Sequence, residues 1–390
     1  LDGLAAGVGD RWTASGQDPD AFVRIATEAL VDHRQPTSDP AGAALRLMAA
    51  TPLPPQHNLG TGFGQPPVTI HRGDGFITQL LFWFDETIAI HDHRFTGAFA
   101  ILDGVSLHTT FQFHPQERVT SEFESGELKC TEVELLHRGD VRPIALGRGL
   151  IHSNFHFGHP PPTLSIVVRT VTDPHHPQHL YSRSGLAFAE GSSDLDMGLR
   201  RQGLAAASRI SPEAGLDYLQ RSLVSATPDA AMSYLIAATG WFGALKLDPL
   251  ISSSSLGRSE ELRGRTVRHL QQVQSGLVAL SELERLSDPN DRMLMAMIAA
   301  GTDWSKVDAA LLGQRDLTAR AALAGLVTAL ASRQSAGPAR SRLALSPPAL
   351  ELARSLSVSA PPAAPEEPAY RELATHRVLG PLFRHLLSDA

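Results

Sequence analysis

Residues 90–93 read Ile-His-Asp-His, and their spacing sets the chemistry open to them. On a β-strand, side chains at i and i+2 project to one face, so His91 and His93 can aim both rings at one point while Asp92 faces the other way. Two imidazoles so placed suit two ligands of one metal ion. Any further ligand must be nitrogen or oxygen, because Cys130 is the only cysteine and rules out a thiolate cluster or a disulfide within the chain. The third candidate is His152 in "GRGLIHSNFHFG", which follows a glycine-rich turn and starts a strand-like segment that antiparallel pairing can bring beside the first two. Neutral imidazole is the commonest protein ligand for divalent first-row metals, and three of them leave positions open for substrate or oxygen. The competing reading is a barrel that holds no metal and uses these histidines as ordinary polar interior groups.

Around this trio stand weaker candidates. His108, on the next strand-like run, could line a cavity or serve as a fourth ligand, with a hydrogen-bonded structural histidine as the alternative. Gln79 and Trp83 share strand parity in "FITQLLFWF", so both face a substrate cavity if either does; the alternative for Trp83 is a core aromatic. Arg169, in "TLSIVVRT", is a fixed cation that could grip an anionic substrate group with two parallel hydrogen bonds. His156 shares parity with His152 and Asn154 if the chain stays extended, but "HFGHPPP" turns soon after and favours a loop. The cluster "DPHHPQH", with His175, His176 and His179, reads as a solvated loop, and Asp92 as a supporting or ion-pairing group rather than a ligand.

The elements that must carry these residues follow from texture. Of the 17 histidines, 12 lie between His71 and His179, and from about Pro67 to Thr172 short Val, Ile, Thr and Phe runs alternate with Gly, Asp and Pro turns. Eight runs read as strands: "PVTIH", "FITQLLFWF", "TIAIHDH", "GAFAILD", "VSLHTTFQFH", "CTEVELLH", "VRPIAL" and "TLSIVVRTV". Such a set predicts a β-barrel of jelly-roll type over residues 63–185. Before it, helical spacing of Phe22, Ile25, Ala26, Ala29 and Leu30, then the run before Pro52, predicts an N-terminal helical extension over 1–62. After it, amphipathic runs predict an all-α domain over 195–390, ending in a helix from about Tyr370 to Leu387. The whole is an α+β multi-domain chain. The Met-rich run "RMLMAMIAA" reads as helix core, while "ISSSSLGR", "RQSAGPARSRLALSPP" and "SVSAPPAAPEEPAY" read as loop or extended segments.

Composition agrees. With 42% hydrophobic and 19% charged residues, 390 residues can bury a sizeable core, and a net charge of −7 offers nothing to a nucleic acid. No stretch approaches the roughly 20 apolar residues of a membrane span, and "LDGLAAGVGDRW" lacks a basic segment followed by an apolar core, so the expected protein is cytoplasmic with no membrane partner.

"HDH" followed by "GAFAILDG", then "RGLIHSN" before a strand, resembles the two metal motifs of the cupin superfamily across roughly residues 65–175. Where the usual pattern places a glutamate ligand shortly after the second histidine, this chain reads Arg94, Phe95, Thr96, Gly97, Ala98. The three-histidine form is similar to thiol dioxygenases of the cysteine dioxygenase type, which implies mononuclear non-haem Fe(II); Ni, Mn, Cu or Zn would suit the same ligands. The resemblance also implies an arginine ahead of the histidine pair that holds a substrate carboxylate, for which Arg72 is nearest. The tyrosine and cysteine of that type have no counterpart here: Ala98 stands near the cysteine position, and the first tyrosine is Tyr181.

Together these readings predict an Fe(II) cupin oxygenase using O₂ on a small anionic, amino-acid-, thiol- or natural-product-like molecule. The alternatives are a non-catalytic sensor or scaffold with a helical interaction domain, and a non-redox cupin isomerase or lyase. The helical domain is compatible with a homodimer contact, a lid or a protein partner.

Overall fold

The computed structural model describes residues 2–33, 38–50, 52–56, 64–84, 89–156, 163–173, 175–189 and 195–283, with short groups between 286 and 379. Eleven strands occur among the described residues: β1 Pro67–Arg72, β2 Phe76–Trp83, β3 Ile90–His93, β4 Gly97–Asp103, β5 Ser106–Arg118, β6 Phe123–Leu136, β7 Val141–Ile144, β8 Gly147–His156, β9 Thr163–Thr170, β10 His179–Ser182 and β11 Leu186–Ala189. They form two antiparallel layers. One is a five-stranded sheet, order β1-β2-β9-β4-β7, and the other a closed ring, order β10-β11-β6-β5-β8-β3. This is the jelly-roll barrel expected from the strand runs.

Alternation along the strands shows how the sheet is sandwiched. On β2, β4 and β9, one parity (Phe76, Leu80, Phe82; Ala98, Ala100; Leu164, Ile166, Val168) meets α1 (Asp2–Ala14), α2 (Pro19–Asp32) and α3 (Pro40–Ala50) through Val8, Trp12, Phe22 and Ile25. The other parity (Leu81, Trp83, Phe99, Ile101, Val167) faces the barrel interior beside Leu136 and Ile144. Both faces of these strands are therefore buried, which is why they read as near-continuous apolar runs. The helices start where their sequences dictate: Asp18 caps α2, its side chain accepting from Asp20 N–H at 3.1 Å, with Pro19 in the first turn where no N–H is needed.

Beyond the barrel come α4 (Leu195–Ile210), α5 (Pro212–Leu223), α6 (Pro228–Phe242), α7 (Ala244–Ser252) and α8 (Glu260–Leu283). Their core residues Leu219, Leu235, Leu247 and Leu270 share one cluster with Phe123, Leu186 and Phe188 of β6 and β11. The Arg265 guanidinium on α8 donates to the backbone carbonyls of Ser184 (3.0 Å), Gly185 (3.3 Å) and Gly126. The run "PDAAMSYLIAATGWFGAL" is broken at Gly243, whose φ of 79° ends α6 and starts α7. The segment "ISSSSLGR" is partly helical, carrying the end of α7 and a 3₁₀ turn at Ser255–Gly257. Of the Met-rich run, Leu294, Met295 and Met297 are fully buried, as a core reading requires. A short helix α9 (Pro368–Thr375) covers the start of the expected last helix and ends short of it, His376 and Leu379 being non-helical; the rest of that span lies outside the described residues, as does the helical run "DLTARAALAGLVTALASR". Among the described residues no helix is long and apolar enough to cross a membrane.

Candidate metal centre

His91 and His152 sit directly opposite each other on β3 and β8, and a register irregularity separates that pair from His93 opposite Gly147, while the i, i+2 spacing puts both β3 rings on one face. The ligand atoms of His91, His93 and His152 all lie within 4.8 Å of one another, and all three side chains are buried. His93 Nε2 and His152 Nε2 are 3.2 Å apart. Two nitrogens bound at neighbouring positions of one ion, each at 2.0–2.1 Å, are separated by about 3 Å, so this spacing fits a shared metal.

Proton positions fit as well. His91 Nδ1 lies 3.1 Å from the Ala89 carbonyl oxygen, to which Nδ1–H donates, leaving the lone pair on Nε2. His152 Nδ1 lies 2.9 Å from His108 Nε2, and His108 Nδ1 lies 2.8 Å from Glu134 Oε1. One assignment satisfies the row: His108 Nδ1–H donates to the carboxylate, His152 Nδ1–H donates to His108 Nε2, and His152 Nε2 is a ligand lone pair. Strand register builds the outer half of this relay, since Glu134 and His108 are cross-strand partners on β6 and β5, while His152 sits on β8 two residues from His108's own partner. From β7, Arg142 Nε donates to Glu134 Oε1 at 2.8 Å, and its Nη2 to Oε2. Burial alone would raise the Glu134 carboxyl, but the hydrogen bonds from Arg142 and His108 outweigh it and lower it to about 2, so the row ends in a permanent charge. Burial, and then the neighbouring imidazoles, hold His93 and His152 well below the ordinary histidine range, so both offer neutral nitrogen.

Asp92 anchors the ligand strand from behind. Its buried carboxylate accepts from His179 N–H at 2.7 Å and the Tyr181 hydroxyl at 2.8 Å, tying β3 to β10. Burial and then the Asp92 charge push Tyr181 up, which keeps it a proton donor. His179 is thus part of a strand, not of a solvated loop; His175 is exposed and His176 half-buried.

The three rings open into a cavity of about 510 Å³, open solvent at its mouth included, between the two layers. Leu81, Trp83, Phe95, Phe99, Ile144 and Val167 form its apolar wall, and among the described residues no Asp, Glu, Lys or Arg lines it. The remaining candidates divide. Trp83 lines the cavity, donating Nε1–H to Ser165 Oγ at 2.9 Å and stacking on His156 at 4.3 Å. Gln79 shares its parity but lies four residues back along β2, bonded to Thr69 Oγ1 (3.2 Å) and accepting from Arg169 Nε (3.1 Å), outside the lining. Arg169 stacks on the Phe95 ring at 4.6 Å and donates to the Thr170 carbonyl; burial lowers it to about 10. Arg72 is exposed at the end of the edge strand β1 and does not line the cavity. His108 is neither fourth ligand nor cavity wall: the relay turns both its nitrogens to protein partners.

Sequence reasoning missed Glu134, Arg142 and Ser106, and placed His156 in a loop, whereas it ends β8, buried, with Nδ1 2.7 Å from Ser106 Oγ. The usable signal was parity: His152, Asn154 and His156 alternate on one strand face, opposite Thr110, His108 and Ser106.

No protein-family profile and no curated protein matches the chain. Among solved structures, it is similar to a cupin-2 domain protein from Shewanella frigidimarina at 10% identity, covering 27% of this chain and 81% of that one, with a TM-score of 0.18. A hydroquinone 1,2-dioxygenase bound to Cd²⁺ and 4-hydroxybenzonitrile matches at 15% identity over 27% of this chain and 63% of that one, TM-score 0.20. A cupin-superfamily sugar phosphate isomerase from Silicibacter pomeroyi matches at 14% over 37% and 85%, TM-score 0.21. Overlaps this small carry no argument about chemistry, and the fold rests on the strands described above.

Proposed function

We propose that this chain is an oxygenase that holds one Fe(II) on the Nε2 atoms of His91, His93 and His152 and acts with O₂ on a small molecule in the adjoining cavity. The observation that carries the reading is the convergence of three buried imidazoles on one point, at the wall of an apolar cavity with no carboxylate among its described lining residues. Such a donor set fills one side of an ion and leaves the other for exogenous ligands, and nitrogen donors suit Fe(II), with Ni, Cu, Zn or Mn as substitutes. When bound, the ion supplies a Lewis-acid and one-electron redox site at which substrate and oxygen meet. The protein does the rest. Glu134 and His108 hold the proton on His152 Nδ1 and fix its ring, Asp92 fixes the strand that bears the other two, and the apolar wall excludes water from the reacting groups. Because the three ligands are neutral, a substrate group that reaches the ion is best bound as an anion, such as a phenolate, enolate, carboxylate or thiolate.

The test is anaerobic loading with Fe(II), metal analysis, and nitric oxide as an O₂ surrogate read by electron paramagnetic resonance. One iron per chain and an iron–nitrosyl signal, both lost in His91→Ala and His152→Ala, are the expected results. A chain that takes up no stoichiometric metal overturns the reading, and a metal-bound chain that forms no nitrosyl redirects it to non-redox isomerase or lyase chemistry.

A further inference from the structure

We infer that the cavity holds a second recognition point, Asn154 with His156, which selects a planar, uncharged substrate carrying an ionisable hydroxyl at one end and a neutral hydrogen-bonding group at the other. The inference rests on the metal-centre reading for the hydroxyl end and on separate observations for the far end. His156 is only 4% exposed, lines the cavity and hydrogen-bonds through Nδ1 to Ser106, yet its Nε2 has no partner among the described residues. Asn154 also lines the cavity, and its buried Oδ1 has none. Buried polar atoms left unpaired cost about 1–3 kcal/mol each, so two that face the same cavity mark a place where a ligand completes the pairing. They are not part of the metal centre, since the relay behind His152 runs through His108 and Glu134 instead.

Position and chemistry define the ligand. Along β8, at about 3.3 Å per residue, Asn154 lies about 7 Å and His156 about 13 Å beyond His152, so a ring with a group at each end reaches from the ligand trio to Asn154, with His156 on the far side of that end group. Trp83, Phe95 and Phe99 supply the aromatic wall that favours a flat body. The far group is neutral, because among the described residues no charged side chain lines the cavity and Arg169 is engaged by Phe95, Gln79 and Thr170. Burial keeps His156 uncharged, lowering it to about 3. With an amide on one side and an imidazole on the other, the pair can both donate and accept, which matches an amide or hydroxyl better than a carboxylate.

The test uses the full chain loaded with Zn(II), which is redox-silent, and isothermal titration with phenol, 4-hydroxybenzamide and 4-hydroxybenzoate. The expected order places the benzamide roughly tenfold tighter than phenol, as one added buried hydrogen bond provides, with the benzoate weaker than the benzamide. Asn154→Leu and His156→Phe should each bring the benzamide toward phenol's affinity while leaving phenol unchanged, and Ser106→Ala should do so more weakly. The inference is overturned if the benzamide binds no tighter than phenol, or if the benzoate binds tightest. Failure of the metal-centre reading is distinct: phenol would then bind the stripped chain and the His91→Ala variant as well as the loaded one.

Discussion

Replacing His108 with phenylalanine removes the middle of the row that joins Glu134 to His152 while keeping an aromatic ring in its place. In the native protein His152 Nδ1 meets His108 Nε2 at 2.9 Å, and His108 Nδ1 meets a carboxylate held ionised by Arg142. The row raises the electron-donating power of His152 Nε2 and fixes its ring. Loss of such support behind a histidine ligand weakens metal binding by about 10–100-fold, or about 1.4–2.7 kcal/mol. The carboxylate is not orphaned by the change, because Arg142 still pairs it, so the effect falls on the metal rather than on folding. The assay is competition of stripped protein against a chromogenic chelator for Zn(II) and Fe(II), with thermal unfolding of the metal-free chain as the folding control. Glu134→Gln should weaken binding by less than His108→Phe, and the double variant should match His108→Phe alone, because the carboxylate acts only through the imidazole. Unchanged affinity in His108→Phe, or an undiminished Glu134→Gln effect in the His108→Phe background, refutes the relay.

Three further outcomes follow from other contacts. Tyr181→Phe removes one of two donors to the buried Asp92 carboxylate and should lower stability by about 1.5–3 kcal/mol in denaturant unfolding, with metal affinity falling alongside as β3 loosens. Gly97→Ala drives a Cβ into the Val168 carbonyl oxygen, where backbone must move, and should cost at least about 1–3 kcal/mol by the same measurement. His269 on α8 packs against Phe188 with a buried, unpartnered Nε2, and burial lowers it from 6.5 to about 4. The folded state refuses a proton that the unfolded chain accepts, so its contribution is complete above pH 6.5 and is lost as pH falls toward 4. His269→Leu should flatten that slope, with a difference on the order of 2 kcal/mol between pH 7 and pH 4 in urea titrations.

The strands legible in the sequence were those whose faces obey ordinary patterning. β2, β4 and β9 are apolar on both faces because helices cover one side and the cavity the other, and their runs stood out without any knowledge of partners. β8 was harder to bound. Its interior face carries His152, Asn154 and His156 where a packed barrel would carry Val or Leu, so the binary pattern of a strand is missing where the site is built. β10 and β11 have four residues each, too few for alternation to register. The trio His91, His93 and His152 followed from parity and a glycine-rich turn. Its support did not, because pairing Glu134 with His108 depends on a cross-strand register with two bulges between β5 and β6 that no local spacing encodes.

The helices laid over β2, β9 and β4 have a bearing on how this protein could come to accept different molecules. A wall glued on its reverse to α1 and α2 through Trp12, Phe22 and Ile25 cannot bow outward without prising those helices off, so it behaves as a stiff backplate. Accommodation of bulkier guests, by breathing or by divergence, is thereby steered to side-chain trimming at Leu81, Phe99 and Val167 rather than to backbone give.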